Sequence, residues 1–216
     1  NYNYQKGMKA IIQELKNFLK RKDIGTDSDR ALLLDFQATL EIKPEKAIKL
    51  EKDALAQIEN ITADNARLVS NLHANLGGLY RMNGHPDLAR EHMEKSISLL
   101  DQFNLLHIND SIPQIANYAM FLTEQQEPER GISELQKLSG IIKEYHSDDC
   151  LDYAKVQETL ATIYLMTANL SHAKTHFKKA FKIYEKIWAD EPEMIEAKYQ
   201  EIQELYPQIG FCIGKK

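Results

Sequence analysis

The chain has 216 residues, of which 43% are hydrophobic and 27% are charged, with only nine glycines and six prolines. This composition indicates a folded, helix-rich protein rather than a disordered one. A net charge of −5 and a pI near 5.8 argue against a nucleic-acid-binding protein, which needs an excess of basic residues. The lysines are spread along predicted helices and balanced by glutamates, a pattern typical of an ordinary solvated surface.

No apolar run approaches the ~18 residues needed to cross a bilayer, so we expect no membrane segment and no membrane partner. The first 22 residues are amphipathic and lack the apolar core of a signal peptide. The two cysteines, Cys150 and Cys212, match no disulfide framework, which is compatible with a reducing compartment. We therefore expect a cytoplasmic protein. Because the chain begins at Asn1 rather than Met, we also expect it to be a fragment of a longer one.

Similar residues recur along the chain at a fixed interval of 42. One unit of this size cannot bury its own apolar face and needs its neighbours, so the interval predicts an all-α solenoid of antiparallel helix pairs. The recurring positions are the small residues Ala47, Ala89, Gly131 and Ala173, the large residues Leu34, Leu76, Tyr118 and Leu160, and the prolines Pro44, Pro86 and Pro128.

The second repeat shows the plan of one unit. Leu72 and Leu76 share one face of a first helix, Gly84 ends that helix, and Pro86 opens the next. The predicted elements are, in chain order, an N-terminal helix in 1–27, four repeats at 28–69, 70–111, 112–153 and 154–190, and a C-terminal capping helix with a tail at 191–216.

The recurring small residue has a physical reason. Two packed helices approach to about 8–10 Å, and a small side chain at the crossing permits this approach. In the fourth repeat Leu170 stands where the other repeats have proline, and Ser171 beside it is predicted to cap the second helix.

This pattern resembles the tetratricopeptide repeat family. The 42-residue unit and the stretch Asn117-Tyr118-Ala119 look like the kinesin-light-chain type. The first repeat departs from the pattern, with Asp35 at the small position, Ala38 at the tyrosine position and Glu51 at the aromatic position. The resemblance implies one domain over 1–216, a right-handed superhelix of about four repeats plus capping helices. In the fourth repeat the family positions read Leu160-Ala161, Tyr164, Ala168, Ala173, Phe177 and Ala180.

The resemblance also implies that the first helix of each pair lines a concave groove that binds a peptide or protein segment. Asn75 and Asn117 hold the same position in adjacent repeats, and their amides offer both donor and acceptor to an extended main chain. Methionines at neighbouring positions adapt to varied partners. The predicted peptide-binding residues are Asn71, Asn75, Arg81, Met82, Asn117, Met120, Lys155 and Thr159.

Few residues point to catalysis. His172 and His176 stand four apart on a helix and could share a metal, but no third ligand follows from the sequence. There is no phosphate-binding glycine loop, nucleophile elbow or Cys-x-x-Cys pair. We therefore expect a non-catalytic interaction module without cofactor, metal or direct nucleic-acid contact. Two alternatives stay open: an accessory or sensor region of a larger enzyme or transcription regulator, and a self-associating structural array.

Overall fold

The computed structural model describes residues 2–19, 25–109 and 111–209. Over these ranges every regular element is helical, which confirms the predicted all-α fold class. No helix of the described part is both long enough and apolar enough to span a lipid bilayer. The helices are α1 (Tyr2–Leu19), α2 (Asp27–Leu40), α3 (Pro44–Leu55), α4 (Ala66–Met82), α5 (Pro86–Gln102), α6 (Ser111–Glu124), α7 (Pro128–Tyr145), α8 (Leu151–Met166), α9 (Leu170–Ile187) and α10 (Pro192–Leu205), followed by a 3-10 turn at Pro207–Ile209.

Proline marks the start of most second helices. α3, α5 and α7 begin at Pro44, Pro86 and Pro128, and α10 begins at Pro192. Proline suits the first helical position because the N–H it lacks would have no partner there and its φ is already helical. The three prolines of the repeat interval therefore mark three helix starts.

The start of α9 differs from the prediction. The side chain of Asn169 caps this helix by accepting from the backbone N–H of His172 at 3.3 Å. The prediction of Ser171 as the cap is wrong, because the helix already begins at Leu170 and Ser171 lies inside its first turn. Asparagine is among the best capping residues, since its short side chain reaches the free N–H groups of the first turn.

The turn between the paired helices has the same backbone in three repeats. Gly84, Gln126 and Ala168 stand 42 apart and have φ values of 75°, 66° and 58°. Each is followed by a residue whose N–H bonds back to a carbonyl five residues earlier, as from Asn169 to Tyr164 at 2.7 Å. This is the left-handed helix end that favours glycine, yet only one of the three positions carries glycine.

The first compact unit comprises residues 1–106 and contains α1 to α5. α2 pairs with α3, and α4 pairs with α5. Ala89 is fully buried at the second crossing, where a Cβ on Gly77 would lie 3.3 Å from the Ala89 carbonyl oxygen. The recurring small residue therefore sets the helix separation in this unit, as the sequence indicated.

The second compact unit comprises residues 107–216 and contains α6 to α10. α6 pairs with α7 and α8 with α9, while α10 packs against α9. A Cβ on Gly131 would lie only 2.6 Å from the carbonyl oxygen of Ala119, so α6 and α7 cross almost in backbone contact. At the other end of the unit, the rings of Phe181 and Tyr199 stack 4.0 Å apart and join α9 to α10.

Candidate functional site

A groove of about 680 Å³ opens in the second unit between α6, α8, α9 and α10. Three of the eight predicted binding residues, Met120, Lys155 and Thr159, line it together. The full lining consists of Met120, Leu151, Lys155, Glu158, Thr159, Thr162, Tyr184, Trp188, Met194, Ala197, Lys198 and Glu201.

One wall of the groove is aromatic and apolar. Trp188, the residue that ends α9, stacks on Tyr184 with ring centroids 4.7 Å apart and planes 10° from parallel. Met194 of α10 is 43% exposed, and Met120 of α6 is half-buried. Rigid rings beside flexible thioethers provide apolar area that can adapt to a bulky side chain.

The base of the groove is a closed ion-pair network. Lys198 lies 2.7 Å from Glu158 and 3.1 Å from Glu201, and the Tyr184 hydroxyl donates to Glu158 at 2.6 Å. Burial alone would lower the pKa of Lys198, but the hydrogen bonds to Glu158 and Glu201 raise it overall. Burial, reinforced by the charge of Glu158, raises the pKa of Tyr184. Because both pKa values move away from neutrality, neither group is poised for acid–base catalysis.

The rim of the groove carries hydrogen-bonding groups. The Lys155 side chain is more than half exposed, and its ammonium lies 3.6 Å from Asp152. The hydroxyls of Thr159 and Thr162 donate to carbonyls of their own helix at 3.0 Å. Their oxygens keep lone pairs free to accept from a ligand N–H.

The six residues that α9 and α10 supply to the groove were missed by the sequence prediction, which considered only the first helices of four repeats. The interval itself contained the signal for two of them. Ala197 and Glu201 stand 42 after Lys155 and Thr159, so α10 occupies the place of a fifth first helix. The contributions of α9, Tyr184 and Trp188, lie on a second helix and follow from packing rather than from periodicity.

The remaining predicted residues lie elsewhere. Asn117 is exposed on α6 but does not line the groove. Asn71, Asn75, Arg81 and Met82 all belong to α4 of the first unit, where Met82 is 82% exposed. Their assignment to peptide binding stays a prediction.

Asn75 has a structural partner in the first unit. Its amide nitrogen donates to Asp35 Oδ1 at 2.9 Å and to Glu51 Oε1 at 3.2 Å. These two acids are among the residues that depart from the repeat pattern, and they share a hydrogen bond between α2 and α3. An amide that donates to two carboxyl groups holds its own unit together, whatever it contributes to a ligand.

Burial controls the protonation of this acid pair. Glu51 is only 2% exposed, and its Oε2 has no hydrogen-bond partner among the described residues. Burial, followed by the charge and hydrogen bond of Asp35, raises the pKa of Glu51 to about 9. Burial likewise raises the pKa of Asp35. Glu51 is therefore a neutral acid at pH 7.

The two histidines considered as metal ligands pack instead against an aromatic ring. His172 and His176 both stack on Tyr164, with centroids 4.9 Å and 5.3 Å away. His176 Nδ1 lies 2.9 Å from the side-chain oxygen of Gln157, and burial lowers its pKa to about 4. In the described ranges, no group of three or more His, Cys, Asp or Glu residues is arranged to hold a metal ion.

The tetratricopeptide repeat model matches residues 111–186, which span α6 to most of α9. No curated protein matches the chain.

Several solved structures share the fold. BtubC (BKLC) from P. vanneervenii is 18% identical, with a TM-score of 0.67 over 84% of this chain and 72% of that one. Nearly identical repeats from Podosopora anserina, described as those of a kinesin light chain, are 14% identical, with a TM-score of 0.69 over 87% of this chain and 92% of that one. MamA is 15% identical, with a TM-score of 0.57 over 85% of this chain and 92% of that one.

At these identities the solved structures establish the fold alone. Proteins built from this repeat are in general non-catalytic scaffolds with protein partners. The predicted resemblance is confirmed, since residues 111–186 match the family and solved structures that share the fold are kinesin-light-chain-like repeat proteins. Residues 111–186 thus match the tetratricopeptide repeat family, and the chain shares the fold of solved repeat proteins of the kinesin-light-chain type.

Proposed function

We propose that this protein is a non-catalytic interaction module whose second unit binds an extended protein segment in the groove between α6, α8, α9 and α10. One observation carries the proposal: Met120, Lys155 and Thr159, which the family resemblance implied as binding residues, share a groove of about 680 Å³ with an aromatic wall. That volume lies within the range of about 300–1,000 Å³ that is typical of ligand pockets.

The lining indicates which part of a ligand would enter. At the base the Lys198 ammonium is already paired with Glu158 and Glu201, so it offers little to an acidic ligand group. The wall formed by Trp188, Met194 and Met120 favours a bulky apolar side chain, and Thr159 and Lys155 at the rim favour main-chain N–H and C=O groups. The partner segment is therefore expected to insert an aromatic or long aliphatic residue.

Non-catalytic action in the cytoplasm is part of the same proposal. It is supported by the pKa values of Tyr184 and Lys198, both of which are raised further from neutrality, and by a cysteine usage that matches no disulfide framework.

A random peptide library displayed on phage and selected on the wild-type protein tests the proposal. Met194→Gln removes an exposed apolar side chain from the groove, whereas Leu205→Gln removes one from the same helix outside the groove. We expect the selected peptides to be enriched in aromatic or long aliphatic residues. Their affinity should fall about fivefold or more with Met194→Gln, in keeping with the loss of a central apolar contact, and stay unchanged with Leu205→Gln. Peptides that bind both variants as tightly as the wild type would refute the groove assignment.

A further inference from the structure

α9 carries a continuous row of exposed lysines. Four of them recur every four residues on the solvent side, opposite the buried Phe177, Ala180 and Tyr184. At about 1.5 Å per residue the row is about 18 Å long. The lysine row is defined as Lys174, Lys178, Lys179, Lys182 and Lys186.

The lysine row is only partly neutralised within its own unit. Lys186 pairs with Asp149, and the charge of Lys182 also lowers the pKa of Asp149, but across the described ranges no carboxylate forms an ion pair with the other four lysines. Glu185, the one acid of α9, accepts a hydrogen bond from Tyr199 instead. On α7, by contrast, Lys137 pairs with Glu134 of its own helix. The general balance of lysine and glutamate expected from the sequence therefore does not hold on α9, where like charges repel one another.

The next helix carries a row of the opposite sign. Glu193, Glu196 and Glu204 are exposed on α10 and share one side of it. Glu201 is not part of this acidic row, because it pairs with Lys198 at the groove. The acidic row is about 16 Å long at the same helical rise, close to the length of the lysine row.

We propose that the acidic row on α10 of one copy of this protein docks against the lysine row on α9 of a second copy. The acidic row that complements the lysine row is carried by the same unit of the same chain. Every copy therefore offers a matching surface to another copy, which favours a second copy over an unrelated anionic partner. Charge rows of matching length and opposite sign steer association and fix its register.

The contact is heterologous, because two different surfaces meet. A copy that uses its lysine row still has a free acidic row, so assembly grows into chains or closes into rings. Exposed ion pairs are individually weak and are screened by salt. Assembly is therefore expected at low ionic strength and high protein concentration, and it does not depend on the groove.

Light scattering coupled to size exclusion tests the proposal over a concentration series. In about 20 mM salt, where the Debye length exceeds 10 Å, the mass should rise with concentration above the 24.9 kDa of one chain. In about 300 mM salt it should return to that of one chain. A wild-type protein of 24.9 kDa at every concentration in low salt would overturn the proposal.

Two neutralising variants identify the surfaces. Lys178→Gln with Lys182→Gln removes the centre of the lysine row, and Glu193→Gln with Glu204→Gln removes both ends of the acidic row. All four positions are exposed, so the fold should be unaffected. Each variant alone should stay a single chain in low salt.

An equimolar mixture of the two variants should form a pair of about 50 kDa and nothing larger, because only one intact row of each sign remains. The matched control, Glu134→Gln with Lys137→Gln, removes an exposed ion pair from α7 and should assemble like the wild type. Assembly by either row variant alone would contradict the docking mode. So would a protein that binds anionic vesicles or nucleic acid through the lysine row while remaining a single chain.

Discussion

Gly131 and Gly140 lie on the same helix, α7, but substitution by alanine is expected to have opposite effects on stability at the two positions. In Gly131→Ala the new Cβ would lie 2.6 Å from the carbonyl oxygen of Ala119 and 3.3 Å from its Cα. These are backbone atoms, so relief of the clash requires α6 and α7 to separate. In Gly140→Ala nothing lies within 4 Å of the new Cβ.

The magnitudes follow from two opposing effects. Alanine stabilises a helix interior by about 0.5–1 kcal/mol relative to glycine. Overpacking a close helix crossing costs about 1–3 kcal/mol. Gly131→Ala should therefore destabilise the protein by about 1–2 kcal/mol, whereas Gly140→Ala should stabilise it by about 0.5–1 kcal/mol.

Chemical denaturation followed by far-UV circular dichroism measures both variants under one set of conditions. The midpoint should fall for Gly131→Ala and rise for Gly140→Ala, with little change in the slope. A neutral or stabilising Gly131→Ala would refute the close crossing, because helix propensity alone would then decide the outcome. It would also refute the sequence argument that the recurring small residue exists for this contact.

Two further predictions concern buried titratable groups. Glu51→Gln should stabilise the protein by about 1–3 kcal/mol at pH 7, because Glu51 must stay protonated in the folded state, where its pKa is about 9, but ionises in the unfolded chain. The difference in unfolding free energy between variant and wild type should grow from pH 4.5 towards pH 9. A difference that does not change with pH would contradict this prediction. The pKa values of His73 and His176 are lowered to about 4 from 6.5, mainly by burial, so their stabilising contribution is complete above pH 6.5 and is lost as pH falls towards 4. After allowance for solvent screening the loss is about 1 kcal/mol for each histidine, and His176→Gln should remove its share of this acid sensitivity in thermal melts recorded across that pH range.

Much of the fold could be predicted because the repeat interval carries backbone requirements that few residue types meet. Pro44, Pro86 and Pro128 marked helix starts, and Ala89 and Gly131 marked the crossings. The start of α9 was misassigned because Asn169 and Ser171 are both good caps, and only the backbone shows where the helix begins. Local chemistry left that choice open.

The candidate site was harder to predict than the fold. Met120, Lys155 and Thr159 followed from the family resemblance, which places the ligand on the first helices, but Tyr184 and Trp188 line the groove from the end of a second helix through tertiary packing. The role of Asn75 also depends on packing, since Asp35 and Glu51 are 40 and 24 residues away along the chain. No sequence spacing predicts that the Asn75 amide bonds to Asp35 and Glu51, because these acids stand at positions that normally hold packing residues.

The shared turn at Gly84, Gln126 and Ala168 has a consequence for how such a chain can gain or lose length. The backbone leaves Gln126 and Ala168 in the same direction, and a new helix begins two residues later in each case, at Pro128 and Leu170. Excising residues 127–168 would join Gln126 to Asn169 and lead directly into α9 without a change of local path. This turn is thus a position at which recombination can duplicate or delete a whole 42-residue repeat without interrupting a helix.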